Sequence, residues 1–205
     1  MRALHEFYRR TSMKTKELVM VVLLFAASPL PASSAPDVVA ALSTATNHYE
    51  WARFSREIDK QGVTVARTNA VAFVRHQLVR LSRAGVKERD AIKAEIIGLG
   101  PQATPTLITA LTNAVRPAPI FTGDSAVVNI PIFAAQVLGK MKKEDAMSAV
   151  PALIGFIDYE TDAQVMVDGK PLNMAVEQLK SITGQDFGTD KAKWKAWYDK
   201  QSVNQ

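Results

Sequence analysis

The sequence predicts an all-α protein, specifically a short right-handed α-solenoid of antiparallel helix pairs. Apolar residues recur at helical spacing, as at Val71, Val74, Leu78 and Leu81. Related helical segments return every 41 residues, a period typical of stacked helical repeats. Each of these segments is followed by a proline or aspartate that suits the start of a second helix.

Residues 1–35 are expected to be a signal peptide. A basic stretch precedes the apolar run 18–27, Pro29 and Pro31 follow it, and small residues come next, in the order Ala32-Ser33-Ser34-Ala35. This order is typical of a secretory signal. We expect cleavage after Ser34, because a cut after Ala35 would place Pro36 at the new N-terminus. The apolar run has about half the length needed to cross a bilayer, so no stable membrane span is expected after cleavage.

Three alternatives remain open for this leader. Met13 can serve as the start, since Met13-Lys14-Thr15-Lys16 alone makes a basic n-region. The second is an uncleaved leader acting as a membrane anchor, and the third is an N-terminal core helix. Cleavage would make the mature protein periplasmic or secreted, and without a cysteine a lipid-anchored form is excluded.

The net charge of +5 gives little support for an anionic polymer as partner. Five of the 25 basic residues and two of the 20 acidic residues lie in positions 1–35, so the remaining chain carries a net charge of only +2. Nucleic-acid binding needs clustered Lys and Arg. Nucleic acid is therefore not an expected partner.

The first helices of the repeat units are found by aligning three segments. Ile92, Phe133 and Met174 are separated by 41 residues, and the same interval separates a second apolar set, Ile97, Leu138 and Leu179. Gly98 and Gly139 follow in the first two units, whereas the third has Lys180. The interval lies close to the range of HEAT and armadillo repeats.

Second helices are expected after these segments, starting at Pro105, Pro151 and Lys191, with Thr104 and Asp190 as N-caps. Leu-Gly followed by Pro-x-Leu-Ile resembles the HEAT repeat, and residues 179–198 are similar to the ending of exported bacterial HEAT-repeat proteins. The resemblance covers about residues 88–201. It implies helix pairs stacked into a solenoid, closed at its C-terminal end by an aromatic cap of Trp194, Trp197 and Tyr198. An aromatic ligand platform is the alternative for these three side chains.

The predicted organisation is thus a signal peptide at 1–35, an N-terminal helical pair at 36–86 and HEAT-like repeats with the aromatic cap at 87–205. The N-terminal pair is expected at 37–59 and 66–84, with Lys60-Gln61-Gly62 ending the first helix and Tyr49, Trp51 and Phe54 in the core. Between units, Val127-Val128 and Val165-Met166-Val167 are candidates for short strands that pair across adjacent units. Asp168-Gly169 is a turn signal.

The sequence indicates no catalytic, cofactor-binding or metal-binding residues. Outside the leader the histidines are His48 and His76, which lie on different predicted helices and are expected to be structural. Asp158, Glu160 and Asp162 lack the spacing of a calcium loop. Asp186-Phe187-Gly188 lies in a helix–helix turn without other kinase motifs.

The expected function is therefore that of an exported, non-catalytic scaffold or adaptor that binds another protein. The alternative is an accessory subunit of an enzyme, or a lyase-like HEAT protein with a ligand pocket near the C-terminal cap. A deep cleft that gathers Asp186, Trp194 and a neighbouring carboxylate would favour the alternative. The expected binding surface is the edge formed by the inter-unit segments or the groove along the second helices.

Overall fold

The computed structural model describes residues 37–114, 125–162, 166–167, 170–171 and 173–202, and the protein is all-α, as predicted. All of these residues except Asp37 belong to one compact unit, Val38–Gln205; Asp37 ends the other unit, Met1–Asp37. The predicted signal peptide and the Asp168-Gly169 turn lie outside the described residues.

Three helices form the N-terminal part: α1 (Val38–Thr44), α2 (His48–Gln61) and α3 (Ala70–Arg83). The predicted single helix over 37–59 is wrong because Asn47 interrupts it. The backbone of Asn47 is extended, and its side chain accepts a hydrogen bond of 3.0 Å from the Glu50 amide. Gly62 ends α2 as predicted, in the left-handed conformation with φ of 64°.

The next two helices are α4 (Val86–Ile97) and α5 (Thr104–Thr112), joined by a 3₁₀ turn at Gly100–Gln102. The prediction that Thr104 caps α5 is wrong. The preceding residue, Ala103, already has helical backbone angles, so Thr104 lies inside the helix. Its hydroxyl instead donates a 2.8 Å hydrogen bond to the carbonyl of Asp145, 41 residues along the chain.

The central part contains α6 (Ser125–Leu138), the short α7 (Lys143–Ala146), a 3₁₀ turn at Met147–Ala149 and α8 (Val150–Asp162). The predicted strand at Val127-Val128 is wrong, since both residues lie in α6. The buried positions along α6 include Val127, Ile130, Ala134, Val137 and Leu138. They follow helical spacing, so this pattern favours a helix over a strand at Val127-Val128.

The C-terminal part contains β1 (Met166–Val167), β2 (Lys170–Pro171), α9 (Met174–Thr183) and α10 (Lys191–Ser202). The strand predicted at 165–167 is present at Met166–Val167, but it pairs antiparallel with β2 in its own loop and not with an adjacent unit. Asp190 accepts a 3.1 Å hydrogen bond from the Lys193 amide, which confirms the predicted cap of α10.

Helix α6 is the centre of the packing, with α3, α5 and α9 around it. Helices α5, α8 and α10 pack one against the next, and the buried apolar residues form one connected core from Val38 to Trp194. Helix α4 also touches α6, but α3 covers α6 more extensively. The reason is that α3 buries side chains around most of its circumference, whereas α4 buries only Ile92 and Ile96.

Candidate functional site

A charged depression lies between the C-terminal parts of α2 and α3 and the start of α4. Its volume is about 180 Å³, and it is lined by Asp59, Arg80, Arg83, Ala84, Glu88 and Ile92. Arginines and carboxylates therefore face the same open space. Arg80 also donates a 3.0 Å hydrogen bond to Gln77, so it is partly held by its own helix.

Next to this depression, His76 links α2 and α3. Its Nδ1 atom lies 2.7 Å from the Ser55 hydroxyl, and its Nε2 atom lies 3.6 Å from an Asp59 carboxylate oxygen. Burial lowers the pKa of His76, and Arg80 and Arg83 lower it further, while Asp59 raises it.

Serine, histidine and aspartate are the residue types of a hydrolase triad, but this cluster cannot attack a substrate. Ser55 is completely buried, so its hydroxyl is not accessible to a ligand. Ser55 and Asp59 are also one turn apart on the same helix, and both contact the ring nitrogens of His76. The arrangement connects α2 to α3.

His48 and Arg75 form a second buried polar group around Trp51. Arg75 donates hydrogen bonds of 2.6 and 2.7 Å to the carbonyls of Leu42 and Ser43, and its guanidinium lies 4.7 Å from the Trp51 ring centre. It thereby caps the C-terminal end of α1. Sequence reasoning did not single out Arg75, because a helical arginine is usually exposed.

His48 lies in the core beside Trp51. The side chain is completely buried, and neither ring nitrogen has a hydrogen-bond partner among the described residues. Its ring meets Trp51 edge-on at 4.8 Å. Burial lowers the pKa of His48 to about 4; the Ala110 backbone opposes this shift and Arg75 adds to it. The imidazole is therefore neutral at pH 7.

The predicted aromatic residues divide between core and surface. Trp51 and Trp194 are fully buried, whereas Tyr49 is exposed, contrary to the prediction for the N-terminal aromatics. Trp194 donates a 2.8 Å hydrogen bond to the Gly188 carbonyl and meets Phe187 edge-on. Asp186 lies at the surface, 2.8 Å from Lys180. Asp186 and Trp194 thus do not share the cleft that would favour a ligand pocket.

The helices α5, α8 and α10 each leave one stripe of their surface exposed. Small or short side chains prevail on α5 and α8 and charged ones on α10; the exposed positions include Pro105 and Thr112 on α5, Pro151, Gly155 and Asp158 on α8, and Ala192, Lys193, Lys195, Ala196, Asp199 and Lys200 on α10. Because the three helices pack in succession, these exposed positions lie on neighbouring helices.

Two further properties concern the described residues alone. They contain no group of three or more metal-ligating side chains placed to hold an ion. Within the same ranges, no helix combines the length and the apolar character needed to cross a bilayer.

Comparison of the chain with protein-family models, with curated proteins and with solved structures gives no match.

Proposed function

We propose that this protein is an exported helical-repeat module that binds another protein and acts as a scaffold or adaptor in the periplasm or cell envelope. The observation that carries the proposal is contact between elements one repeat apart. Helix α5 packs on α8, and α6 packs on α9. Thr104 bonds to the residue 41 positions later, and the Ser181 hydroxyl donates to the Gly139 carbonyl 42 positions earlier, at 2.8 Å.

Contacts of this kind support a HEAT-like solenoid in which each helix pair covers the apolar face of the next. Such arrays use a long continuous surface to bind other proteins, because each added repeat extends the same face. The exposed stripes of α5, α8 and α10 supply a surface of this type. We assign the binding face to these three helices.

Export is the second part of the proposal and rests on the leader at residues 1–35. Its basic, apolar and small-residue segments follow the order that a signal peptidase recognises. We propose cleavage after Ser34, and N-terminal sequencing of the protein recovered from the envelope fraction measures the site directly. Recovery of an uncleaved chain in the membrane fraction would instead support an anchor.

Photo-crosslinking in intact cells tests the binding face. A photoreactive amino acid is placed at Thr112, Gly155 or Lys195 on the proposed face, and at Lys60 or Lys87 on α2 and α4 as matched exposed controls. We expect the three test positions to capture one protein of the same mass and the two controls to capture none. Identical adducts at all five positions, or no adduct at the test positions, would contradict the proposal.

A further inference from the structure

Three cationic side chains meet at the junction of α4 and α6. Arg89 and Lys93, one turn apart on α4, lie with their charged groups 5.1 and 5.8 Å from the centre of the Phe133 ring on α6. Lys140, just beyond the end of α6, lies 3.8 Å from the Asp90 carboxylate. We call Arg89, Lys93 and Lys140 the cationic patch.

Two members of the cationic patch are held in place before any ligand arrives. The Arg89 Nε atom donates a 3.1 Å hydrogen bond to the Ala84 carbonyl, and the side chains of Arg89 and Lys93 are half-buried against Phe133. Stacking of a cation on an aromatic face restrains it further. Side chains that are already ordered lose little conformational entropy when they bind a partner.

The charges of the patch are not balanced. Among the described residues, Asp90 is the acidic residue whose side chain forms an ion pair with the patch, through Lys140. The Asp90 side chain is 83% exposed. The pKa of Lys93 is lowered, first by burial and then by the neighbouring charges of Lys140 and Arg89, with Asp90 partly offsetting them. A second anion at this place would relieve the repulsion among the three cations.

Packing against Phe133 explains the presence of one cationic side chain at this place, since a single side chain can shield one face of the ring. It does not account for Lys140, which contacts Asp90 and is exposed. A long phosphate polymer or a membrane surface requires a wider basic area than three residues on a nearly neutral chain. The pairing of Lys140 with Asp90 shows that one member of the patch already contacts a carboxylate.

We propose that Arg89, Lys93 and Lys140 form a docking site for a carboxylate-rich segment of a partner protein. The Arg89 guanidinium binds one carboxylate with two hydrogen bonds, and the two lysines bind a neighbouring carboxylate as point charges. Asp90 competes with the ligand for Lys140. This inference rests on the proposed protein-binding function and adds a second contact with the partner, at α4 and α6 and outside the face of α5, α8 and α10.

Binding of a fluorescent hexaglutamate peptide to the purified protein, followed by anisotropy, tests the site. We expect Lys140→Gln, and separately Lys93→Gln, to weaken binding about tenfold, as loss of a charge-assisted contact does. Asp90→Asn should tighten binding about threefold, because it removes an exposed competing carboxylate. Lys140→Gln alters an exposed side chain beyond a helix end and leaves the fold intact, so its result does not depend on the tolerance of Lys93 or Arg89 to change.

Lys87→Gln is the matched control. Like Lys93→Gln, it removes one positive charge from α4. Residue 87, however, lies about 200° around the helix from Arg89. We expect its affinity to equal that of the unchanged protein. Equal weakening by Lys87→Gln, no effect of Lys140→Gln, or no effect of Asp90→Asn would each overturn the inference. Phosphatidylglycerol vesicles bound through the same three residues, in preference to the peptide, would overturn it in favour of a lipid surface.

The crosslinking experiment separates this inference from the proposed function. If the adducts at Thr112, Gly155 and Lys195 persist in a Lys93→Gln/Lys140→Gln protein while hexaglutamate binding shows no residue dependence, the cationic patch is not the docking site and the proposed function stands. If residue-specific peptide binding is present but the adducts are absent, the proposed binding face is wrong and the patch stands.

Discussion

Each polar side chain buried in the N-terminal core loses its contacts with water and needs partners within the protein to replace them. Arg75 obtains two backbone carbonyls and the face of Trp51, and His76 obtains Ser55 and Asp59. His48 lacks such partners among the described residues and remains neutral at pH 7. Burying a charged imidazole beside Arg75 would cost desolvation and repulsion. Protonation of His48 therefore opposes the fold.

Burial of His48 makes the free energy of unfolding depend on pH. In the unfolded chain His48 binds a proton near its usual pKa of 6.5, whereas in the folded protein its pKa is about 4. Stability is therefore fully present above pH 6.5 and is lost as the pH falls towards 4, by roughly 3 kcal/mol from this group. Burial lowers the pKa of His76 as well, which acts in the same direction.

Urea unfolding at pH 7.0 and pH 4.5 measures the effect. We expect the unchanged protein to lose more stability between these pH values than a His48→Gln variant, which has no group to titrate at this place. The comparison between the two proteins removes the shared contribution of the carboxylates. Parallel losses in both proteins would show that His48 does not control the pH dependence.

At the scale of elements, the Leu-Gly pair at the end of α6 is explained by the helix that follows it in the packing. A Cβ atom on Gly139 would lie 1.6 Å from the amide oxygen of Gln178 on α9, so any side chain there would displace Gln178. Lys180 occupies the equivalent position in the last turn of α9, three residues before its end at Thr183, and pairs with Asp186. The departure from glycine in the third unit is thus compatible with its surroundings.

Gly139→Ala tests this junction. We expect it to destabilise the protein by no more than about 1 kcal/mol, because the flexible end of Gln178 can move aside, and to have no such cost in a Gln178→Ala background. Gly155→Ala is the control, because a Cβ atom there meets nothing within 4 Å. Alanine in place of that helical glycine should stabilise by about 0.5–1 kcal/mol. Denaturant unfolding of the four variants gives the coupling, and an equal cost of Gly139→Ala in both backgrounds would contradict the explanation.

Other elements differ from the sequence expectation for local reasons. The chain contains a helical pattern across residues 37–59, yet Asn47 satisfies an amide of α2 and so creates a new helix start. Val127-Val128 has strand-forming residue types, but their place in the apolar period of α6 prevails. In both cases the competing signals were visible in the sequence, and their relative weights depended on packing.

For the whole molecule, the C-terminal helix closes the connected core. Trp194 is fully buried on α10 and hydrogen-bonded to Gly188, whereas Trp197 and Tyr198 are half-buried. Of the three aromatic residues predicted to cap the core, Trp194 is therefore the one that is fully buried in it. Trp194 thereby covers apolar residues of the core on which α10 packs.

Trp194→Ala should destabilise the protein by about 3–5 kcal/mol, which is typical of removing a buried tryptophan. Trp197→Ala, a change of the same chemistry one turn away, should cost much less because its side chain is only half-buried. Thermal and denaturant unfolding followed by circular dichroism measure both. Comparable losses for the two variants would place the cap equally on both tryptophans.

The sequence by itself determined the helical class, the approximate positions of most helices, the cap at Asp190 and the stop at Gly62, because these depend on residues a few positions apart. Tertiary structure decided the rest. Three features join distant segments: the packing of α3 as well as α5 on α6, the burial of His48 and Arg75 around Trp51, and the contact of Arg89 and Lys93 with Phe133. Periodicity shows that a helix has an apolar face, but the partner of that face is selected by the packing of the entire core.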